Sequence, residues 1–416
     1  MIFREFKLHN WYYPVVLLSY VLALFFSVVR PGVVSAILVS LVVIESLIGL
    51  HKSKVRILDG LHKAEQDTDG GLHNVNTEDI ILFLWLIYNI LSGIWCIGYG
   101  MPASVYLQEL FTTALPMGFY FCGRTDHNSR SFSFYYLLSV AVIGILGIIL
   151  FITGPSFYLD YLYDLQLISK ADIPTMRVRM HSVIGSTLMG YLPAVGMMVS
   201  VRTFINADIK REKVISVISF VFMMFLAFMS NQRAAMAAAI FTLIYLNYLI
   251  FFTFKILSKK YFMAECGAIL AVIAGVFFVF NGAFMKVYYR LVSLPGSIAQ
   301  RSDQWVGAAN NMKSIWLGNG LGANGHRAIG ITEHLIADGG VAKLYVESGI
   351  IGTSLFLFLL ILVLKKGFKE LKDTAPEMGI IIITLLMSIG SNMMSFALSV
   401  PVFYYYMGRG VSERKT

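Results

Sequence analysis

Residues 214–254 read VISVISFVFMMFLAFMSNQRAAMAAAIFTLIYLNYLIFFTF and carry one charged residue, Arg233. A helix that crosses the hydrocarbon core of a bilayer needs about 20 mostly apolar residues. The stretch is long enough for two such helices, and the short polar segment Ser230-Asn231-Gln232-Arg233 divides it. It therefore predicts a membrane hairpin with an arginine at its tip.

The rest of the chain has the same character, because 57% of its 416 residues are hydrophobic, 14% are charged and the mean hydropathy is +0.71. A soluble domain carries roughly 25% charged residues. The last apolar stretch, 378–408, suits a hairpin that turns near Ser391, Asn392, Ser395 and Pro401. The prediction is one all-α polytopic membrane domain, residues 1–416, of about twelve helices. Its other apolar runs lie near 12–29, 32–50, 79–100, 104–123, 132–153, 183–201, 262–280 and 343–364.

The basic residues predict the orientation. The second connection contains His51-Lys52-Ser53-Lys54, and every other even-numbered connection is basic as well. Short basic loops stay in the cytoplasm, so both termini are expected there. The same rule accounts for the net charge of +9, and no nucleic-acid partner is predicted. Two long loops, 154–182 and 281–342, then lie outside.

The two long outer loops and the hairpin tip contain more arginine than this rule leads us to expect. A cation held at a helix boundary usually faces a cavity or a partner. Guanidinium groups also bind phosphate oxygens in a bidentate way, which indicates an anionic ligand. The three cysteines have no paired spacing, and we predict no metal and no cofactor. The outer arginines are Arg177, Arg179, Arg233, Arg290, Arg301 and Arg327, of which all but Arg327 are candidate ligands.

The loop 281–342 contains a predicted amphipathic helix and a glycine-rich turn. Apolar residues recur at helical spacing from Ile298 to Trp316, with Arg301 on the polar side. Residues 320–325 then match GxGxxG, but no strand precedes them, so a dinucleotide site is rejected. We expect the glycines to form a tight reversal behind the helix.

Three further residues in or after this loop are candidates for proton transfer. Asp338 precedes a predicted helix, where it acts either as a helix cap or in catalysis. Glu347 lies inside the apolar run and either pairs with Lys343, four residues earlier, or is catalytic. His334 is eight residues from His326, which is not a zinc spacing.

At this point the chain resembles a known family. Residues 315–322 (IWLGNGLG), 338–340 (DGG) and 345–352 (YVESGIIG) are similar to the late outer loop and following helix of O-antigen polymerases of the Wzy type. Residues 231–235 (NQRAA) resemble the family's step between two helices, and Arg301 with Trp305 resembles its arginine-rich helix. The related O-antigen ligases carry a His-Asn pair where this chain has Asp338-Gly339, which favours the polymerase branch.

The resemblance implies a GT-C-like, metal-independent glycosyltransferase in the bacterial inner membrane. It would join oligosaccharides linked to undecaprenyl pyrophosphate, with a polysaccharide chain-length regulator as a possible protein partner. Arg233 and Arg301 would bind the pyrophosphate, supported by Arg290, Arg177 and Arg179. The general base would be Asp338, then His334, then Glu347 in order of preference. A lipid-oligosaccharide flippase and an O-antigen ligase are the alternatives, and the sugar and the final polysaccharide stay open.

Overall fold

The computed structural model describes residues 7–63, 76–126, 129–164, 179–255, 288–289, 292 and 294–412. Its regular elements are helices. In chain order they are α1 Tyr12–Ala23, α2 Pro31–Lys63, α3 Thr77–Gly98, α4 Ala103–Glu109, α5 Gly118–Thr125, α6 Arg130–Thr153, α7 Ser156–Asp164, α8 Ser186–Ile205, α9 Lys210–Met229, α10 Arg233–Tyr248, α11 Leu294–Asn310, α12 Gly340–Lys369, α13 Leu371–Gly390 and α14 Val400–Val411.

Eight helices in the described ranges are long and apolar enough to cross a membrane. They include α9 and α10, so the hairpin predicted from residues 214–254 is confirmed as two helices. The protein is therefore an all-helical, polytopic membrane protein. The predicted helix at 262–280 lies outside the described residues, and the total of twelve stays a prediction. The eight are α2, α3, α6, α8, α9, α10 with its continuation to Thr253, α12 and α13.

Two predicted spans differ from the helices observed. The run 12–29 is helical only to Ala23, and Pro31 then opens α2. The run 104–123 is not one helix: a π turn, Leu110–Ala114, and a 3-10 turn, Leu115–Met117, separate α4 from α5. Pro116 lies in that interruption. Because proline has no backbone N–H to donate, it disrupts a regular helix interior.

The stretch predicted as a hairpin at 378–408 does reverse. Helix α13 ends at Gly390, and α14 begins at Val400. Three of the predicted turn residues, Ser391, Asn392 and Ser395, lie between them. Pro401 does not: it occupies the first turn of α14, where the missing N–H of proline costs no hydrogen bond.

The two ends of the helical bundle differ in what they contain. At one end, Arg409 donates to the carbonyl of Asp126, and His9 Nε2 lies 4.0 Å from an Asp126 carboxylate oxygen. Both ends of the described chain meet here, so we call it the terminal end. At the opposite end, residues 311–339 pack on α3, α4 and α12, and we call this the loop end.

Helices α8, α13 and α14 form the centre of the bundle. In α8, 78% of the membrane-span residues are buried, against 22% in α9, which therefore lies at the periphery. Tyrosine hydroxyls satisfy polar groups in this core: Tyr191 lies 2.8 Å from the Thr384 hydroxyl, and Tyr136 donates to the Leu192 carbonyl. The first contact joins the start of α8 to the end of α13. The start of α8 therefore lies at the loop end.

Candidate functional site

The glycine-rich segment at the loop end is inserted into a break in α12. The break falls at Gly349, whose φ of 59° and ψ of −166° are not helical. Residues 315–320 lie beside the break. Their backbone groups bond to the N–H and C=O groups of α12 that would otherwise pair within a continuous helix. Four such bonds form: Ile350 N–H to Ile315 O (2.9 Å), Ile351 N–H to Trp316 O (3.1 Å), Asn319 N–H to Val346 O (2.9 Å) and Gly320 N–H to Glu347 O (2.9 Å).

Glycine is required on both sides of this junction. Gly349 occupies a backbone region that is essentially closed to residues with a Cβ atom. A Cβ on Gly318 would overlap the Glu347 backbone, and one on Gly349 would overlap the Trp316 carbonyl. The predicted tight reversal is therefore a segment that docks against α12 by close backbone contact.

The amphipathic helix predicted to continue to Trp316 is shorter than expected. Helix α11 ends at Asn310. Beyond it, the Lys313 N–H donates to the side-chain oxygen of Asn319 at 2.7 Å. Ile315 and Trp316 continue the apolar spacing of α11, but their carbonyls accept hydrogen bonds from the backbone of α12 beyond its break. A tertiary contact thus overrides the local pattern.

A cluster of four charged side chains, Glu109, Arg327, Lys343 and Glu347, lies beside the docked segment, and we call it the buried quartet. Lys343 contacts Glu109 and lies 3.6 Å from a Glu347 carboxylate oxygen. Arg327 contacts the other oxygen of Glu109. The side chains of Glu109, Lys343 and Glu347 are at most 4% exposed, whereas Arg327 is 31% exposed. Buried charges require partners, and here two carboxylates face two cations.

The buried quartet also holds the glycine-rich segment in place. Asn324 donates its backbone N–H to Glu347 at 3.0 Å, and Lys343 donates to the Ser395 hydroxyl at 2.7 Å. The predicted Lys343–Glu347 pair is therefore present, within a larger network. The sequence analysis missed Glu109, and it counted Arg327 among the outer arginines without giving it a role. Glu109 is the one charged residue of the predicted span 104–123. A single charge inside an apolar run usually has a buried partner, so this feature of the sequence could have identified Glu109.

Arg301 and Asp338, two residues that the sequence singled out separately, form an ion pair. The Arg301 guanidinium lies 2.9 Å from Asp338 Oδ2 and also donates to the Gly390 carbonyl at 3.0 Å. Trp305 donates its ring N–H to the Asp338 carbonyl at 2.7 Å. The two paired side chains are 33% and 40% exposed, so the pair is accessible from the loop end.

The structure excludes the helix-cap role considered for Asp338. The residue that caps α12 is Gly339, with a φ of 126°, and no side chain makes a capping hydrogen bond there. The Asp338 carboxylate turns to Arg301 instead. Among the described residues, nothing hydrogen-bonds to its second oxygen, Oδ1.

His326 interacts electrostatically with Asp338 of the ion pair and with Glu109, Arg327 and Lys343 of the buried quartet. Its ring stacks near Phe396, with centroids 6.5 Å apart. Burial of the ring lowers the pKa of His326 below 6.5; Asp338 opposes that change, and Lys343 adds to it. The imidazole is therefore neutral at pH 7 and lies within electrostatic reach of both charged groups.

The other predicted site residues are more dispersed. Arg233 is the first residue of α10, is half-buried, and forms no ion pair with any described residue. Arg179 is exposed, and its carbonyl lies 3.1 Å from the His181 ring. The structure places both at the loop end, beside the start of α8. Among the described contacts, none joins either of them to the Arg301–Asp338 pair.

His334, Arg177 and Arg290 complete the set. His334 is half-buried, and its carbonyl accepts from the Asn324 side chain at 2.7 Å. No described residue pairs with its ring. Arg177 and Arg290 lie outside the described residues.

Within the part of the chain that the structure describes, the loop end therefore presents a carboxylate with one oxygen that accepts no hydrogen bond, a guanidinium beside it and a neutral imidazole in electrostatic contact with it. Such a set can accept a proton and bind an anion at the same place. No model of a known protein family matches the chain, and no curated protein matches it significantly. The class that fold and site define is an all-helical, multi-pass membrane protein with a charged site at one end of its bundle.

Proposed function

We propose that the protein polymerises oligosaccharide repeat units carried on undecaprenyl pyrophosphate, at the outer face of the bacterial inner membrane. One observation carries the proposal: Arg301 and Asp338 form an ion pair, 2.9 Å apart, beside the glycine-rich segment whose sequence resembles the O-antigen polymerases. The guanidinium of Arg301 is suited to binding a phosphate, and the carboxylate of Asp338 is suited to accepting a proton. An acceptor hydroxyl and a pyrophosphate leaving group require these two functions together.

The reaction is one glycosyl transfer. An acceptor hydroxyl oxygen at the non-reducing end of one repeat unit attacks the anomeric carbon of the donor glycan. A carbon–oxygen bond forms there, and the bond from that carbon to the pyrophosphate oxygen breaks. The undecaprenyl pyrophosphate leaves with the electron pair, and Oδ1 of Asp338 accepts the hydroxyl proton.

The arginines act on the leaving group. Negative charge grows on the pyrophosphate as its bond breaks, and preorganised cationic donors stabilise it. Arg301 is held for this role by the Gly390 carbonyl, and Arg327 by Glu109. Arg233, half-buried at the start of α10, is a further proposed ligand at the loop end.

The proposed orientation puts the terminal end in the cytoplasm. The basic connections from which the orientation is predicted, including 202–213 and 365–372, join helices at that end. The two ends of the described chain also meet there. The loop end, with its charged site, then faces outward, where lipid-linked glycans are joined.

The experiment is a deletion strain complemented with Arg301→Ala, Asp338→Asn or the matched control Asp303→Asn, which changes an exposed carboxylate on the same helix, α11. Surface polysaccharide is then separated on a gel. The proposal requires the first two variants to attach single repeat units only, while the control gives a full ladder. Full ladders from both site variants contradict the proposed site. Loss of every attached unit on deletion indicates a flippase or a ligase instead.

A further inference from the structure

Three side chains that are typical metal ligands meet at the terminal end. His9 comes from the turn before α1, Glu45 from α2, and Cys122 from α5. One ligand atom from each lies within 4.8 Å of the other two. His9 is 3% and Cys122 4% exposed, while the Glu45 side chain is 29% exposed. The cluster was not predicted from the sequence, because the three positions share no motif spacing.

We propose that His9, Glu45 and Cys122 bind a Zn²⁺ ion. Imidazole, carboxylate and thiolate are the ligands that zinc takes in proteins, in tetrahedral geometry. With bonds of about 2.0–2.1 Å, two light ligand atoms on one tetrahedral zinc lie about 3.4 Å apart. His9 Nδ1 lies 3.3 Å from a Glu45 carboxylate oxygen, which matches that separation and is long for a hydrogen bond.

The groups around the cluster support the same assignment. The second ring nitrogen of His9, Nε2, has no hydrogen-bond partner and lies 4.0 Å from Asp126 Oδ2. A zinc-bound histidine usually directs its other N–H at a carboxylate, and Asp126 stands where that partner is expected. Tyr405 donates to the same oxygen at 2.6 Å and fixes the carboxylate.

Glu45 is also held in position. Its two oxygens accept the backbone N–H groups of Leu8 and His9, at 3.2 and 3.1 Å. When Zn²⁺ binds, the Cys122 thiol releases its proton to water, and the thiolate and the Glu45 carboxylate then balance the two charges of the ion, so the three ligands and the ion are neutral together. A water molecule completes the tetrahedron.

The ion would have a structural role. It ties the segment before α1 to α2 and α5 at the terminal end, at the opposite end of the bundle from Arg301 and Asp338. The inference is independent of the proposed glycosyl transfer. A competing explanation is a protonated His9 held between Glu45 and Asp126 without any metal, and this is an outcome of the test.

The test measures zinc in the full-length protein. The protein is purified in detergent, incubated with zinc chloride alone, desalted and analysed by mass spectrometry of the metal. We expect one zinc per chain, and at least a tenfold loss of affinity in Cys122→Ser, in line with the loss of a ligand. Cys96→Ser is the matched control, because Cys96 is equally buried but lies at the loop end, against the Leu321 carbonyl.

Cobalt(II) provides a second measurement, and its result for the wild-type protein does not depend on the folding of any variant. Added to the wild-type protein, it should give a thiolate-to-cobalt absorption band, which Cys96→Ser keeps and Cys122→Ser loses. Zinc well below one per chain, or no thiolate band in the wild type, overturns the proposal and supports the protonated His9. Equal zinc affinity in the two cysteine variants overturns it as well.

Discussion

At the residue scale, the charged side chains of the loop end are held by one another. Glu109 contacts both Lys343 and Arg327, so it is the residue on which the buried quartet depends. The sequence predicted Arg301, Asp338 and Glu347 as individual site residues. It did not predict that Arg301 meets Asp338, because the residues are 37 positions apart and only tertiary packing joins them.

Substitution Glu109→Gln should destabilise the protein strongly. It leaves two cations without the carboxylate between them, and breaking a buried ion pair in this way costs about 3–5 kcal/mol. Thermal unfolding in detergent measures the effect. Glu370→Gln, at an exposed position between α12 and α13, is the matched control and should unfold near the wild-type temperature. Equal unfolding temperatures for the two variants would show that the buried quartet does not support the fold.

His326 should make stability depend on pH. Burial holds its pKa below the ordinary value of 6.5 in the folded protein. Between those two values the unfolded chain binds a proton that the folded protein does not, so stability falls as the pH is lowered through 6.5. His326→Gln should remove this part of the slope. Unfolding temperatures of both proteins between pH 5 and 8 test it, and identical slopes would refute it.

At the element scale, the defining feature is the break in α12 and the segment that occupies it. The apolar run 343–364 predicted a continuous helix, because hydropathy does not record where a helix interrupts its hydrogen bonds. The glycines at 318, 320 and 349 were the feature of the sequence that indicated the tight reversal. Their positive φ values show that close backbone approach, rather than flexibility, requires them.

Substitution Gly349→Ala should destabilise this junction. The backbone there costs a residue with a Cβ about 1–3 kcal/mol, and the added methyl also overlaps the Trp316 carbonyl. Gly32→Ala in α2 is the control, since nothing lies within 4 Å of its added Cβ and its φ is not positive. The control should change stability by less than about 1 kcal/mol. Unfolding in detergent measures both, and comparable stability for the two variants contradicts the docking geometry.

At the scale of the whole molecule, the sequence predicted the class well. Seven of the predicted apolar runs and the first half of the hairpin at 378–408 correspond to the eight helices that can span a membrane, whereas the runs 12–29 and 104–123 do not. The short elements α1, α4, α5 and α14 were harder to delimit, because they are shorter than a bilayer span and tertiary packing determines where they end.

The proposed orientation predicts which sites a membrane-impermeant thiol reagent reaches in intact cells. In a chain whose own cysteines are replaced by serine, Asp303→Cys at the loop end should be labelled from outside. Lys210→Cys, at the start of α9, should be labelled only after the membrane is permeabilised. Both positions are exposed, so burial does not explain a difference. The reverse pattern would invert the orientation and place the charged site in the cytoplasm.

The most direct test of the central claim is polymerisation by the purified protein. The protein is reconstituted in liposomes with lipid-linked repeat units extracted from the deletion strain, and the products are separated by length. The account predicts chains of two or more units, one undecaprenyl pyrophosphate released for each new bond, and no such products from Asp338→Asn. Lipid-linked units that stay single with the wild-type protein, or an Asp338→Asn variant that polymerises normally, would contradict it.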